Sequence, residues 1–324
     1  MTEKTRKLNK LAPIIRGVVS IALILGVILS MDSSELLDTL FSVSLTTVCA
    51  LTLIDVVLRV LSAYRWQVLI AATSTATSLR DTTRITFTSS FLGQALPGVI
   101  GVEALRIFSL SKATGDTAGA FASVVADRVF GLASLAIVIL VGLAIGPDDL
   151  QSLILKPLLF AVGLLVFGVL LVTVPTLRSS AQRIIPRVLL DRIQAWIDKV
   201  YECFDHYRSR PILIALSLLL ATIFQFGRVL LFFAAALLIG GSADLIYFVA
   251  IVPIVMFAAL LPISIAGLGV REAGLVYLLS AFSVMDSAPA FTISILVFVS
   301  GVLSTLPGAW FYTRDRKKLS EAMD

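Results

Sequence analysis

The sequence predicts an all-α, polytopic integral membrane protein with six full crossings and two oppositely oriented re-entrant helical hairpins in an inverted-topology repeat. Three observations carry this prediction: the composition, the number of apolar runs, and two similar segments rich in Gly and Pro. Of the 324 residues, 58% are hydrophobic and 15% are charged, and the mean hydropathy is +1.00. Such a chain lacks the polar surface that a soluble globule needs. We therefore expect residues 1–324 to form a single membrane domain.

Six apolar runs are long enough to cross about 30 Å of hydrocarbon. The first run follows a basic tail, but it is long for the core of a signal peptide and has no small-residue cleavage site. We therefore interpret it as an uncleaved spanning helix. The six predicted crossings are 13–30, 41–64, 118–145, 152–175, 211–240 and 290–312.

The basic residues gather in alternate loops, which predicts the orientation of the chain. They lie in the N-terminal tail, residues 65–84, residues 176–210 and the C-terminal tail, whereas the other connections are acidic. We therefore expect a multi-pass protein of the cell membrane with both termini in the cytoplasm. Arg65 and Trp66 stand at a predicted cytoplasmic helix end and are interpreted as interfacial anchors. The net charge of +5 follows from this asymmetry, and nucleic acid is not expected as a partner.

Two similar segments interrupt the apolar sequence, LPGVIGVEALR at 96–106 and LPISIAGLGVRE at 261–272. Irregular backbone is tolerated in hydrocarbon only where protein or a water-filled cavity satisfies its amide groups. Parity requires residues 84–113 to begin and end in the cytoplasm and residues 245–283 to begin and end outside. We interpret both as re-entrant hairpins, although pairs of short full crossings satisfy the same parity. The predicted breaks or hinges are Pro97, Gly98, Gly101, Pro262, Gly267 and Gly269.

The order of these elements repeats along the chain with reversed orientation, which is typical of an inverted-topology repeat. Residues 41–145, with the hairpin at 84–113, form the first predicted repeat. Residues 211–312, with the hairpin at 245–283, form the second. Between the repeats, residues 176–210 place apolar side chains at helical spacing, which predicts an amphipathic connector on the cytoplasmic interface.

Charged side chains inside apolar runs cost roughly 2.5 to 3.5 kcal/mol each on insertion scales, so they face a cavity or a partner. Arg106 and Arg271 follow the two breaks, where the N-terminus of a half-helix favours an anion and a guanidinium binds phosphate or carboxylate bidentately. The alternative is internal pairing, such as Asp55 with Arg59 or Glu103 with Arg106. The candidate substrate-binding residues are Gln94, Glu103, Arg106, Asp127, Arg128, Gln225, Arg228, Arg271 and Glu272.

No pattern in the sequence indicates catalysis. The sequence contains no HExxH, no GxSxG, no cluster of Cys and His, and no pair of aspartates spaced for a metal-bound sugar nucleotide. We therefore predict a transporter with no catalytic residue, no metal site and no cofactor, although a transferase stays open.

The two interrupted segments, together with SVVADRVFGL at 123–132, resemble the lysylphosphatidylglycerol synthase transmembrane-region family, also called the flippase-like domain family. The resemblance extends over roughly residues 55–312. In fused members it implies a membrane region that moves aminoacylated phosphatidylglycerol between leaflets, beside a soluble domain that makes the lipid. We expect this chain to lack such an aminoacyl-transferase domain, so the resemblance is not taken to imply synthase activity. Val99 and Val102 stand where the family pattern suggests glycines, and Glu103 where it suggests aspartate.

The expected function is a lipid flippase or lipid transporter for a phosphate-bearing headgroup, that of a phospholipid, an aminoacylated lipid or a polyprenyl-phosphate-linked lipid. Two alternatives stay open: a membrane-embedded transferase acting on a lipid-linked substrate, and a proton-coupled transporter of a small organic anion. We expect a membrane lipid as the substrate. A separate lipid-modifying enzyme and a second copy of the chain stay open as protein partners.

Overall fold

A computed structural model of the chain describes residues 3–73, 77–94, 100–148, 210–241, 244–261, 263–265 and 267–321. Within these residues the regular structure is entirely α-helical, as predicted. The helices are α1 (Glu3–Leu29), α2 (Ser33–Phe41), α3 (Leu45–Ala72), α4 (Leu79–Gly93), α5 (Ile100–Thr114), α6 (Thr117–Ile145), α7 (Pro211–Leu238), α8 (Leu245–Leu260), α9 (Val270–Ala281), α10 (Ser287–Leu303) and α11 (Pro307–Glu321).

Short polar side chains determine where several helices begin. Ser44 accepts a hydrogen bond from the backbone N–H of Thr47 at the start of α3, over 3.1 Å. Asp116 accepts one from the backbone N–H of Gly119 at the start of α6, over 2.8 Å. Such N-caps satisfy amide groups that the first helical turn leaves without intrahelical partners. The same kind of cap begins α2, α4 and α8, at Asp32, Ser78 and Asp244.

Four helical spans are long and apolar enough to cross a membrane: Leu45–Ala72, Thr117–Ile145, Pro211–Leu238 and Ser287–Arg314. A fifth is obtained if Ile15–Leu29 and Ser33–Phe41, which are bent by 100°, form one broken span. These spans overlap five of the six predicted crossings. The sixth, 152–175, lies outside the described residues, and so does the predicted connector 176–210 except for its last residue, Arg210.

Both predicted hairpins contain two helices that contact each other, α4 with α5 and α8 with α9. The arms of the first hairpin have 15 residues each, and those of the second have 16 and 12. An arm of 15 residues is about 22 Å long, which is shorter than the about 30 Å of a hydrocarbon core. The first hairpin was predicted to begin at residue 84. Its first helix, α4, begins earlier, at Leu79, because Ser78 caps it there.

The backbone between the hairpin arms is irregular where the structure describes it. Gly267 and Gly269 have φ angles of 77° and 85°, in the left-handed region that L side chains avoid. Gly101 lies within the first turn of α5. Three further predicted break residues, Pro97, Gly98 and Pro262, lie outside the described residues.

The same pairwise contacts occur in two consecutive sets of four helices. In the first set, α3 contacts α4, α4 contacts α5, α5 contacts α6, and α3 contacts α6. In the second set, the corresponding contacts join α7 to α8, α8 to α9, α9 to α10, and α7 to α10. The sets meet mainly where α7 packs against α3 and α6 and where α8 packs against α6. The two sets are therefore equivalent in the order and pairing of their helices.

The largest hydrophobic core lies mostly within the second set and extends to α2, α3 and α6. Apolar side chains also cover much of the outer surface. Leu53, Val57 and Leu230 are exposed, as expected of helices that face lipid. The core is rich in large side chains with no exposed surface, among them Leu51, Phe232, Phe248, Ile251 and Leu275.

Gly142 allows α6 to approach α8 closely. A Cβ atom at this position would lie 2.5 Å from the carbonyl oxygen of Val249 and 2.8 Å from Cα of Ala250. Both are backbone atoms, which cannot yield unless the two helices separate. Small residues at such crossings are the usual means by which membrane helices pack, because lipid provides no hydrophobic force between them.

We expect Gly142→Ala to lower the thermal unfolding midpoint in detergent, since overpacking of this kind costs about 1 to 3 kcal/mol. Gly131→Ala, in the same helix, is the matched control, because no atom lies within 4 Å of the added Cβ. The control should be neutral or slightly stabilising, as alanine favours helix more than glycine does. Equal midpoints for the two variants would contradict the close packing of α6 on α8.

Candidate functional site

A cavity of about 830 Å³ lies between the two sets of helices. Both sets contribute to its lining, from α3 to α6 in the first and from α7, α8, α10 and the segment before α9 in the second. Eight charged side chains are in the lining, five arginines and three carboxylates. They are Asp55, Arg59, Arg65, Glu103, Arg106, Asp127, Arg128 and Arg228.

Asp127 on α6 is shared by two arginines from two other helices. Its Oδ1 atom accepts from Nε of Arg65 on α3 at 2.8 Å, and its Oδ2 atom accepts from Nη1 of Arg106 on α5 at 2.9 Å. All three side chains are buried. Removing one member of such a buried group costs about 3 to 5 kcal/mol, because the remaining charges lose their compensation. The carboxylate therefore holds α3, α5 and α6 together.

Arg106 keeps one pair of donors unused. Its guanidinium lies over the ring of Trp66, 4.0 Å from the centroid, and Trp66 in turn donates from Nε1 to the hydroxyl of Ser123 at 3.2 Å. Among the described residues, Nε and Nη2 of Arg106 are buried and have no hydrogen-bond partner. These two atoms form the edge of the guanidinium that binds a carboxylate or phosphate bidentately.

A second carboxylate, Asp55, joins the two sets of helices. It pairs with Arg59 on its own helix at 3.2 Å and with Arg228 on α7 at 3.6 Å. Arg59 also donates to the hydroxyl of Ser304 at 2.8 Å, at the end of α10. The pairing of Asp55 with Arg59, which the four-residue spacing predicted, is confirmed. Its extension to Arg228 and Ser304 depends on tertiary packing.

Glu103 pairs with Arg128 on α6, and not with Arg106 on its own helix as the three-residue spacing suggested. Arg106 is directed to Asp127 instead. The side chain of Arg128 is 47% exposed, far more than that of Arg65 or Arg106. It is therefore the most accessible of these three guanidinium groups.

At the second break, a carboxylate of α9 itself neutralises both the positive end of this helix and the neighbouring arginine. Glu272, in the first turn of α9, accepts from the backbone N–H of Gly269 at 2.6 Å, and so occupies the helix N-terminus that an external anion would otherwise bind. Arg271 pairs with the same carboxylate, and Ser294 on α10 donates to it at 3.1 Å. The arginine also lies over the ring of Phe298, with 5.4 Å to the centroid.

Seven of the nine predicted substrate-binding residues line the cavity. The exceptions are Arg271 and Glu272. Arg271 lies over the ring of Phe298, which lines the cavity, and Glu272 pairs with Arg271. Whether this pair contacts a substrate stays a prediction. The seven lining residues are Gln94, Glu103, Arg106, Asp127, Arg128, Gln225 and Arg228.

Arg65 lines the cavity, although the sequence did not predict it as a site residue. We interpreted Arg65 and Trp66 as interfacial anchors, and this is wrong: both are buried, and Arg65 pairs with Asp127. A pattern did mark the position, because Asp55, Arg59, Ser62 and Arg65 follow one another at three- or four-residue intervals on α3. All four line the cavity.

The electrostatic character of the cavity follows from these residues. Five guanidinium groups face three carboxylates, so the lining has an excess of two positive charges when all groups are ionised. In the part of the chain that the structure describes, no three His, Cys, Asp or Glu side chains form a group suited to a metal ion. The cavity is therefore suited to an anion of one or two charges.

The comparisons with known proteins agree with the resemblance inferred from the motifs. A family model described as the lysylphosphatidylglycerol synthase transmembrane region matches residues 14–308. No curated protein and no solved structure matches the chain. The matched range includes both breaks and every residue that lines the cavity. The chain belongs to the lysylphosphatidylglycerol synthase transmembrane-region family.

Proposed function

We propose that this protein is a lipid flippase or lipid transporter that moves a phosphate-bearing headgroup across the membrane through the charged cavity. The observation that carries the proposal is that Nε and Nη2 of Arg106, a residue that lines a cavity with excess positive charge, are buried and have no acceptor among the described residues. A buried donor without an acceptor costs about 1 to 3 kcal/mol, which a phosphate oxygen would recover. Membership of a lipid-related family supports the same conclusion.

The headgroup would replace part of the internal pairing. Asp127 now provides the negative charge that Arg65 and Arg106 require. A phosphate carries the same kind of oxygen acceptors, so it can share these arginines with the carboxylate, and their positive charge offsets part of the cost of its desolvation. Arg128, half exposed in the lining, would be the first of them to meet an entering headgroup.

Alternating access would arise from an inverted repeat. The equivalent contacts of the two four-helix sets, and hairpin arms shorter than the hydrocarbon thickness, support two re-entrant hairpins that enter from opposite faces. Rocking one set against the other would then expose the cavity to each leaflet in turn. The pair of Asp55 with Arg228 spans the two sets and would be remade in each cycle.

Replacing Arg106 should slow headgroup translocation, and a thermal unfolding midpoint is measured first to show that the variant is folded. In proteoliposomes that contain phosphatidylglycerol with a fluorescent acyl chain, we expect Arg106→Gln to lower the rate of exchange between leaflets by at least about tenfold, since a charged bidentate contact is lost. Arg106→Lys should be intermediate, because it keeps the charge but not the fork. The rate is measured by the fraction of fluorescence that external dithionite removes with time.

Arg16→Gln is the matched control, because Arg16 is an exposed arginine of α1 outside the cavity lining. It should exchange lipid at the rate of the unaltered protein. A labelled diacylglycerol, which has no phosphate, should exchange between leaflets at the same rate with and without the protein. Full activity of Arg106→Gln would contradict the proposal. A chemically altered lipid product in detergent would favour the transferase, and counterflow of a soluble anion would favour the organic-anion transporter.

Asp127→Asn tests whether phosphate and carboxylate compete for the same arginines. The variant leaves Arg65 and Arg106 without their buried partner, so its free energy of unfolding should fall by about 3 to 5 kcal/mol. The measured sign of this loss is a lower thermal unfolding midpoint in an uncharged detergent. Added phosphatidylglycerol should then raise the midpoint of the variant more than that of the unaltered protein. An equal or smaller rise in the variant would show that the headgroup does not bind at these arginines.

A further inference from the structure

A second pocket, of about 340 Å³, lies where the N-terminal end of α4 meets α11. Its lining shares no residue with that of the central cavity among the residues that the structure describes. The two lie on different faces of α4, since Arg80 and Arg84 are one turn apart on one face and Thr86 and Ser90 on another. The lining residues are Ser78, Arg80, Asp81, Arg84, Trp310, Phe311 and Arg314.

The pocket is rich in positive charge. Three arginines line it together with one carboxylate, that of Asp81. This carboxylate is already engaged, because it accepts from the hydroxyl of Ser78 at 2.6 Å in the cap of α4. Arg80 and Arg314 are exposed and form no ion pair with any residue of the described ranges. The pocket therefore has an excess of two positive charges.

The aromatic side chains of Trp310 and Phe311 form one wall of the pocket. The ring of Phe311 lies 6.4 Å from that of Phe87 on α4 and 5.0 Å from that of Trp310, measured between centroids. The guanidinium of Arg314 lies over the ring of Trp310 at 5.4 Å. Trp310 is 57% exposed, as is typical of a tryptophan at the level of lipid headgroups. The arginines thus stand beside an aromatic surface of the interfacial kind.

We propose that this pocket is a second anion site, separate from the translocation cavity, and that it binds a phosphate group. Arginines on two helices can donate to different oxygens of one phosphate, a geometry that suits guanidinium groups better than ammonium groups. The group can belong to the headgroup of a surrounding phospholipid or to free phosphate. The site lies on the predicted cytoplasmic side, and binding there would hold α11 on the first hairpin.

The test uses the purified full chain in an uncharged detergent and two probes, dihexanoylphosphatidylglycerol and inorganic phosphate, titrated by calorimetry. For at least one probe, the double variant R80Q/R314Q should lose the corresponding binding event or weaken its Kd by at least about tenfold. Binding of the lipid probe alone assigns the site to a phospholipid headgroup. Binding of both probes assigns it to the phosphate group itself.

Lys112→Gln is the control for unspecific charge effects, because Lys112 is an exposed basic residue in the last turn of α5 and outside the pocket. It should bind both probes like the unaltered chain. Unchanged binding of both probes by R80Q/R314Q, or an equal loss in Lys112→Gln, would overturn the proposal. The lipid exchange rate of R80Q/R314Q is measured in parallel. Loss of the binding event with normal exchange separates this site from the translocation cavity.

Discussion

The neutralisation of buried charge by partners on other helices is the constraint on which this structure depends. A guanidinium or carboxylate in an apolar interior is tolerated only with a close counter-charge. Asp127 pairs with two arginines, Arg65 and Arg106, and so holds α3, α5 and α6 together. Asp55 ties α3 to α7 in the same way, across the boundary between the two sets of helices. The ion pairs therefore contribute to the choice of which helices meet, together with the close packing that small residues allow between helices in lipid.

The two breaks satisfy this constraint differently, and the difference matters for function. In the second, Glu272 caps α9, pairs with Arg271 and accepts from Ser294, so the anion required by the helix N-terminus is supplied internally. Near the first break, Nη1 of Arg106 donates to Asp127, whereas Nε and Nη2 have no acceptor among the described residues. The unused binding capacity is thus concentrated in the first hairpin. The two hairpins therefore have the same order of helices but differ in how far their arginines are neutralised.

Much of the fold followed from the sequence, because length and hydropathy report directly on membrane crossing. The apolar spans at four of the predicted crossings, the two helix pairs and the Asp55 pairing with Arg59 rest on local spacing, which a sequence displays. The partners of Arg65 and Glu103 could not be predicted in this way. Arg65 stands 62 residues from Asp127, and this contact exists only once α3 and α6 have packed. Its position near a helix end suggested an anchor, but the packing of neighbouring helices buries it.

The central claim is that a phosphate-bearing headgroup enters the charged cavity. It is tested most directly by a phosphatidylglycerol that carries a photoactivatable diazirine on its headgroup, illuminated in proteoliposomes and followed by peptide mass spectrometry. The account predicts adducts in the cavity lining, at Val102 and in the segment from Arg128 to Leu135, which unlabelled phosphatidylglycerol suppresses. Adducts confined to lipid-facing positions such as Leu53, Val57 and Leu230 would contradict it.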